Sequence, residues 1–415
     1  MIPLPLDELR GLGELDGDGD ATGLTIDSRT AGPGDLFVAV RGGRAFVAAA
    51  RAQGAATLVP DDEHAALAQI GRLLRARSSA RVVGITGSTG KTSTKDILAA
   101  LCAPVARTVA TRASENAELG VPLTLGQLEP DTELCLVEMG MRGFGQIAEL
   151  CEIARPDVAV ITAIGPVHLE LVGSVDGVAR AKAELVDALP EGGIAVVPRS
   201  ADLEAHLRSI TESRDIEIRH VGAVDVELRD DGAHVAFGGG RIRFPLTSRH
   251  QAQNALTALT AYDALGLPLD HLQEAADTVV LSRWRGEELA LPGGGVVVND
   301  AYNANPTSMR AALEHLAETA HGRRRVAILG GMAELGEHAE RYHREAAELA
   351  DALGIELLAV GELARDYGAA AWVPDADAAV AAARDLVRPG DSVLVKASRS
   401  VGLEGIASAL ANGPA

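Results

Sequence analysis

Arg81 to Asp96 reads RVVGITGSTGKTSTKD. A short apolar run (Val82, Val83, Ile85) ends in a loop of small residues, Lys91 and Thr92 follow, and a helical pattern begins. Strand, small-residue loop and helix in that order make a phosphate-binding loop. Small residues let backbone N–H groups close around phosphate oxygens, and the helix N-terminus adds favourable potential. Gly87, Ser88, Thr89, Gly90 and Ser93 would cradle the phosphates. Lys91 would reach the β- and γ-phosphates, with the Thr92 hydroxyl on Mg²⁺. The usual loop has a glycine where Ile85 stands; here the glycines are Gly84 and Gly87. The plainer alternative is a glycine-rich turn with an incidental lysine.

Outward from this stretch the pattern stays regular. Apolar runs at Val82–Ile85, Leu134–Glu138, Val158–Ile161 and Ile194–Val197 predict strands. They alternate with helical stretches at Thr92–Leu101, Gln146–Ile153, Val175–Leu189 and Asp202–Glu212. Strand–helix alternation implies a parallel, doubly wound sheet. In such sheets chemistry sits beyond the carboxyl ends of the strands. The loops after Ile85, Glu138 and Ile161 should therefore meet at one crevice. Val221–Leu246 alternates apolar and polar residues around Gly238-Gly239-Gly240, as an antiparallel excursion would. Helical spacing resumes at Gln251–Leu265 and Leu269–Val280.

Before the phosphate loop, LTIDSRTAGPGDLFVAV (residues 24–40) predicts two short strands around a turn. Helices at Phe46–Gln53 and His64–Arg77 flank a strand at Ala56–Val59. After Arg285, strands at Val296–Asn299, Val326–Leu329, Leu357–Val360 and Val393–Lys396 again alternate with helices. The expected fold class is α/β in three domains. Residues 1–79 form a small α/β domain, 80–284 a phosphate-loop doubly wound domain, and 285–415 a Rossmann-like domain.

Composition narrows the function classes. The 415 residues carry a net charge of −20, which opposes binding to nucleic acid or an anionic membrane. An anionic ligand must then be held by local geometry. No apolar run approaches a membrane span, and the acidic N-terminus lacks the basic start of a signal peptide. Cys102, Cys135 and Cys151 follow no ligand spacing and read as buried thiols in a reducing cytoplasm.

Four further places could carry chemistry. Glu138 ends a strand in the sheet of the phosphate loop, where a carboxylate could hold Mg²⁺ or simply face water. His168, in ITAIGPVHLELVGS, leaves the same sheet edge and is a candidate metal ligand beside carboxylates; alone it is an ordinary loop histidine. Lys182, in VARAKAEL, reads from its surroundings as a solvated helix lysine. Asn299–Met309, NDAYNANPTSM, crowds Asp300, Tyr302, Asn303 and Asn305 into a loop stiffened by Pro306; Asn-Pro also makes plain turns.

Together these segments resemble the Mur ligase family, over nearly the whole chain from about Leu24. GITGSTGKTST resembles its ATP loop, and VEMGMRGFGQI, the His168 loop and AKAEL follow in family order. DAYNANPTSM, MAELG and KASRS are similar to the branch that adds D-alanyl-D-alanine. The resemblance implies an ATP-dependent amide ligase of peptidoglycan precursor synthesis. Such an enzyme activates the carboxylate of a UDP-N-acetylmuramoyl-tripeptide as an acyl phosphate and joins it to D-alanyl-D-alanine. It implies ATP and two Mg²⁺ ions as cofactors, a monomer, and cytoplasmic residence. By resemblance Glu138 and His168 are Mg²⁺ ligands or near-ligands, and Lys182 is a lysine carbamylated to hold a second Mg²⁺. Asn254, in HQAQNALTA, is adenine-side; Arg285, Asp300, Tyr302 and Asn303 contact the nucleotide between domains. Ser28 and Arg29, in IDSR, form the UDP-binding turn, and Asn116 is substrate-side. A folylpolyglutamate synthase is the alternative enzyme, and a nucleotide-binding regulator without ligation the alternative class. Against the family pattern, several residues are missing after Val40, where RGGR runs straight into Ala45-Phe46.

Overall fold

The computed structural model describes residues 1–112 and 115–412. Its centre is a six-stranded, all-parallel sheet in the order Ile216–Val221, Gly193–Pro198, Val158–Ile161, Arg81–Thr86, Leu134–Glu138, Thr108–Ala110. The strand Arg81–Thr86 lies between Val158–Ile161 and Leu134–Glu138, with Ile85 opposite both Val160 and Glu138. The three carboxyl ends named from the sequence are thus adjacent in space. Both faces of this strand are covered, which is why it reads as an unbroken apolar run. Val82 packs with one core, and Val83 and Ile85 with another built from Leu98, Leu259 and Tyr262. Each such side chain contributes roughly 1.5–3 kcal/mol by leaving water.

The excursion after Val221 is a three-stranded antiparallel sheet, Val226–Arg229, Gly232–Phe237 and Gly240–Phe244. It closes the second core together with the helix Arg249–Ala264. The helix expected over Leu269–Val280 is only Leu272–Asp277, because turns occupy both ends.

The carboxyl-terminal unit is a second six-stranded sheet, ordered Glu287–Ala290, Val296–Asn299, Ser392–Lys396, Arg325–Gly330, Ile355–Val360, Ala371–Val373. Only Glu287–Ala290 runs antiparallel. The amino-terminal unit has a four-stranded sheet, Gly13–Asp16, Ala56–Pro60, Asp35–Val38 and Gly23–Thr25, and a two-stranded ribbon of Leu4–Pro5 with Asp20–Ala21. Its helix Glu63–Arg77, capped by Asp62 on the N–H groups of His64 and Ala65, buries Leu67, Ile70 and Leu74 in the core shared with the central sheet. The three cysteines are buried, and desolvation pushes each thiol up to about 12. They are inert at neutral pH.

Candidate active site

The phosphate loop leaves Thr86 and enters the helix Lys91–Cys102, whose first turn holds no acidic residue. The positive helix end is therefore free for an anion. Two glycines are required here. Gly87 has φ +151° and Gly90 φ +83°; a Cβ on Gly87 would stand 1.9 Å from Thr162 Oγ1, and one on Gly90 2.2 Å from Asn254 Oδ1. Lys91 Nζ donates to Gly87 O at 2.8 Å, folding back over the loop. Loss of water lowers its pKa, Glu138 opposes that, and Arg285 adds to it.

This loop opens into a cavity of about 470 Å³ between the central sheet and the carboxyl-terminal unit. Of the residues singled out from sequence, Ser88, Thr89, Gly90, Lys91, Thr92, Ser93, Asn116, Glu138, Asn254, Arg285, Asp300, Tyr302 and Asn303 line it. Gly87 sits just behind, as the acceptor for Lys91. Glu138 is 0% exposed. Its Oε1 accepts from Asn116 Nδ2 at 2.7 Å, and its Oε2 has no hydrogen-bond partner among the described residues. A buried carboxylate oxygen left unpaired is costly, so this one calls for a cation. Glu138 is not the water-facing strand end that its position allowed.

Arg285 Nη2 donates to Thr92 Oγ1 at 2.8 Å, and its guanidinium lies 4.0 Å from the Tyr302 ring centroid. Arg285 is thus laid across the phosphate loop. Asp300 pairs with Lys396 at 2.5 Å, and Lys396, 2% exposed, also donates to Asn303 O at 3.0 Å.

Lys182 corrects the plain reading of its helix. It is 2% exposed on Val175–Asp187. Desolvation, then the like charge of Lys91, hold its pKa well below the usual lysine range. Its neighbours on the buried face are Val178, Leu185 and Val186. Spacings of four and three residues place the lysine inward, a signal the sequence carried.

His168 does not reach the cavity wall. It sits at φ +53° before the short helix Leu169–Val172, and its Nδ1 lies 2.5 Å from Glu334 Oε2. Arg142 reaches the other oxygen of Glu334 at 3.1 Å. Among the described residues no group of three or more His, Cys, Asp or Glu side chains could hold a metal. Ser28 and Arg29 also lie away from the cavity. Arg29 is 87% exposed, with its guanidinium on Asp27 at 2.6 Å.

Sequence reasoning passed over several lining residues. His250 and His315 face each other edge-on, with ring centroids 6.1 Å apart. Desolvation pushes His250 down to about 4 and lowers His315, so both imidazoles are neutral at pH 7. His315 lies on a helix with no motif to mark it. Thr162, also unmarked, donates to Thr89 O at 2.5 Å; Asn305, singled out only as part of a crowded polar loop, donates to Ser88 O at 3.0 Å.

A parallel sheet whose phosphate loop is roofed by a second Rossmann-like unit defines a nucleotide-using enzyme class, and comparison identifies it. Residues 85–262 match the Mur ligase middle domain, and residues 284–399 the domain described as Mur ligase, glutamate ligase domain. The chain belongs to the Mur ligase family. Within it, relatives named UDP-N-acetylmuramoyl-tripeptide–D-alanyl-D-alanine ligase are similar along almost their whole length. The protein of Synechocystis is 35% identical, covering 93% of this chain and 91% of its own. That of Escherichia coli is 32% identical, covering 99% of each. A crystal structure of MurF from Acinetobacter baumannii superposes with a TM-score of 0.86 at 29% identity, over 99% of both chains. MurF of Thermotoga maritima in complex with ADP gives 0.79 at 26% identity, over 94% of this chain and 97% of its own. Mycobacterium tuberculosis folylpolyglutamate synthase shares the fold, with a TM-score of 0.68 at 19% identity.

Proposed function

We propose that this chain is an ATP-dependent ligase that joins D-alanyl-D-alanine to the terminal carboxylate of a UDP-N-acetylmuramoyl-tripeptide. The observation that carries the reading is the cavity itself. It combines a phosphate loop, a buried carboxylate with one oxygen unpaired, and a roof from the second Rossmann-like unit. The similarity to ligases of that name over nearly the full chain supports the choice of substrates. Residues 1–79 would hold the UDP end, with Ser28 and Arg29 at its turn. Residues 80–284 would hold ATP, and 285–415 would close over it.

A carboxylate oxygen of the tripeptide attacks the γ-phosphorus and ADP leaves, giving an acyl phosphate. The dipeptide amine then attacks the acyl carbon, the tetrahedral intermediate expels phosphate, and the surplus proton of the amine passes to water. Four groups of this chain act on that sequence. The N–H groups of the phosphate loop and Lys91 offset charge on the moving phosphoryl group. Asn254, with the neutral His250 and His315 near it, would take the base. Arg285, Asp300, Tyr302 and Asn303 would fix the nucleotide from the roof, so that donor and acceptor stand in line. Asn116, bonded to Glu138, would stand on the substrate side.

Glu138 Oε2 and the Thr92 hydroxyl fit Mg²⁺, which keeps several waters and takes few protein ligands. When bound, the ion would withdraw charge from the phosphate oxygens. Lys182 fits a carbamate: its neutral amine would attack carbon dioxide, forming an N–C bond and releasing a proton. That anion could hold a second Mg²⁺ where an ammonium would repel it. His168, held by Glu334, would act near the metals and not against Glu138. Among the described residues no helix is long and apolar enough to cross a membrane. The resemblance to ligases of that name supports a monomer acting in the cytoplasm.

The test is phosphate release with Mg·ATP, UDP-N-acetylmuramoyl-tripeptide and D-alanyl-D-alanine, each omitted in turn. Release that needs all three, with a UDP-muramoyl-pentapeptide by mass, is the expected result. ATP binding without turnover in every mixture would make the chain a non-catalytic homologue.

A further inference from the structure

Ser88, in the middle of the phosphate loop, is tied down on every polar atom. Its N–H donates to Ala163 O at 2.8 Å. Its hydroxyl donates to Gly165 O at 3.0 Å and accepts from Gly165 N at 3.0 Å. Those bonds stay within the central unit. The carbonyl of Ser88 accepts from Asn305 Nδ2 at 3.0 Å, and Asn305 belongs to the carboxyl-terminal unit.

Asn305 uses both ends of its amide. It is the N-cap of the helix Pro306–Thr319. Its Oδ1 accepts from Ser308 N at 2.9 Å, and its own N–H donates to Ser308 Oγ at 3.1 Å, completing a capping box. The side chain is 5% exposed. The oxygen starts the helix and the nitrogen holds the phosphate loop.

The consequence follows from peptide geometry. A trans peptide is planar, so the carbonyl of Ser88 and the N–H of Thr89 point in opposite directions. Holding the carbonyl against Asn305 turns the Thr89 N–H the other way, and Thr89 lines the cavity. Thr162 does the same one peptide later, where its hydroxyl on Thr89 O aims the Gly90 N–H. The two aiming contacts differ in origin. Thr162 follows the strand Val158–Ile161 of the same sheet as the loop, whereas Asn305 belongs to the carboxyl-terminal unit as the cap of the helix Pro306–Thr319. Where that helix packs, Gly165 gives it room: a Cβ there would stand 2.5 Å from Thr307 Oγ1.

We propose that Asn305 is a positioning residue that makes the grip of the phosphate loop depend on docking of the carboxyl-terminal unit. This rests on the reading of the cavity as a nucleotide site. It predicts that a residue touching no phosphate sets the affinity for the phosphate chain. A carbonyl left buried without its donor would rotate toward water and take the Thr89 N–H with it.

Asn305→Ser separates the two ends of the amide, since serine caps helices about as well as asparagine but cannot reach Ser88. Binding of Mg·AMP-PNP and of inorganic tripolyphosphate is measured by calorimetry on the full chain, alongside the melting temperature and kcat and KM for ATP. The expected result is a loss of about tenfold for both ligands and a matching rise in KM, with the melting temperature kept. Asn305→Asp, which also caps but turns an acceptor toward the carbonyl, should lose more. Unchanged tripolyphosphate affinity with weakened AMP-PNP would overturn the proposal in favour of direct contact with base or ribose. Equal falls in melting temperature and affinity in both variants would reduce Asn305 to a helix cap. Wild-type protein that binds Mg·AMP-PNP but does not ligate would sink the ligase reading alone. No binding by the wild type would sink both.

Discussion

The nucleotide cleft and the IDSR turn are both expected to bind phosphate groups, yet they are built in opposite ways. In the cleft, Glu138 and Lys396 are buried and Lys91, Thr92 and Asp300 each have a fixed partner. At the turn, Arg29 stands in solvent and is held by its neighbour Asp27, whose pKa it draws down to about 2, chiefly through the side-chain hydrogen bond. The cleft has met its ordering and desolvation costs in folding; the turn must order a long side chain when ligand arrives. Changes in the cleft should therefore act on chemistry and fold together. Changes at the turn should act on one KM.

The largest contrast is expected at Lys91. Lys91→Ala should lower phosphate release by about 10²-fold or more, the scale of losing a preorganised charge donor, with the fold intact by circular dichroism. A variant keeping more than about a tenth of the rate, a loss below about 1.4 kcal/mol, would break the assignment of the cleft. Lys182→Ala should be almost as inactive, and small carboxylates in the assay should restore part of the rate by replacing the carbamate. Full activity without them would mean that the buried amine has no part in the reaction.

Gly90→Ala tests how rigid the cleft is. A left-handed alanine costs roughly 1–2 kcal/mol, and its Cβ would strike Asn254 Oδ1. We expect weaker ATP binding with a small fall in melting temperature. Normal affinity would show a loop more compliant than its contacts suggest. Arg29→Ala is the matched change at the turn. KM for the UDP-substrate should rise about three- to tenfold, or 0.7–1.4 kcal/mol, while ATP affinity and melting temperature stay put. A fall in ATP affinity would join the two regions and undo the comparison.

A separate effect is on stability against pH. His250 is pushed from the ordinary histidine value of 6.5 to about 4, first by burial, with His315 and Lys396 adding to that and Asp300 opposing it. Above about 6.5 the ring is neutral whether folded or not, and its full contribution is present. As pH falls toward 4 the unfolded chain takes up a proton that the folded chain refuses, so stability drops, by at most about 2–3 kcal/mol. Urea unfolding at pH 7 and pH 5 should show this loss, and His250→Gln should flatten it. An equal slope in the variant would assign the pH dependence to other groups.

The legibility of the two regions differs for the same physical reason. The phosphate loop was readable because strand, loop and helix are local and their apolar spacing is strong. The strands Leu4–Pro5, Asp20–Ala21 and Thr108–Ala110 are two or three residues long, too short to show a period. They exist only because partners elsewhere complete them. Composition alone makes Lys182 a solvated helix lysine, although Val178 and Leu185 at helical spacing mark its face as buried. The contacts that join the carboxyl-terminal unit to the phosphate loop are long-range: Arg285 on Thr92 and Asn305 on Ser88. So is that of Glu334 on His168, which lies outside the cavity that its sheet edge had suggested. The Asn305 loop was noticed for its crowded polar groups, but nothing local says that one of them reaches the phosphate loop.

The central claim is that the cleft moves a phosphoryl group onto a carboxylate. The most direct test uses UDP-muramoyl-tripeptide with heavy oxygen in its terminal carboxylate, turned over with Mg·ATP and D-alanyl-D-alanine. An acyl phosphate requires one labelled oxygen to leave with each phosphate, and mass spectrometry should find it there. Phosphate released without label, at the rate of peptide formation, would contradict the account.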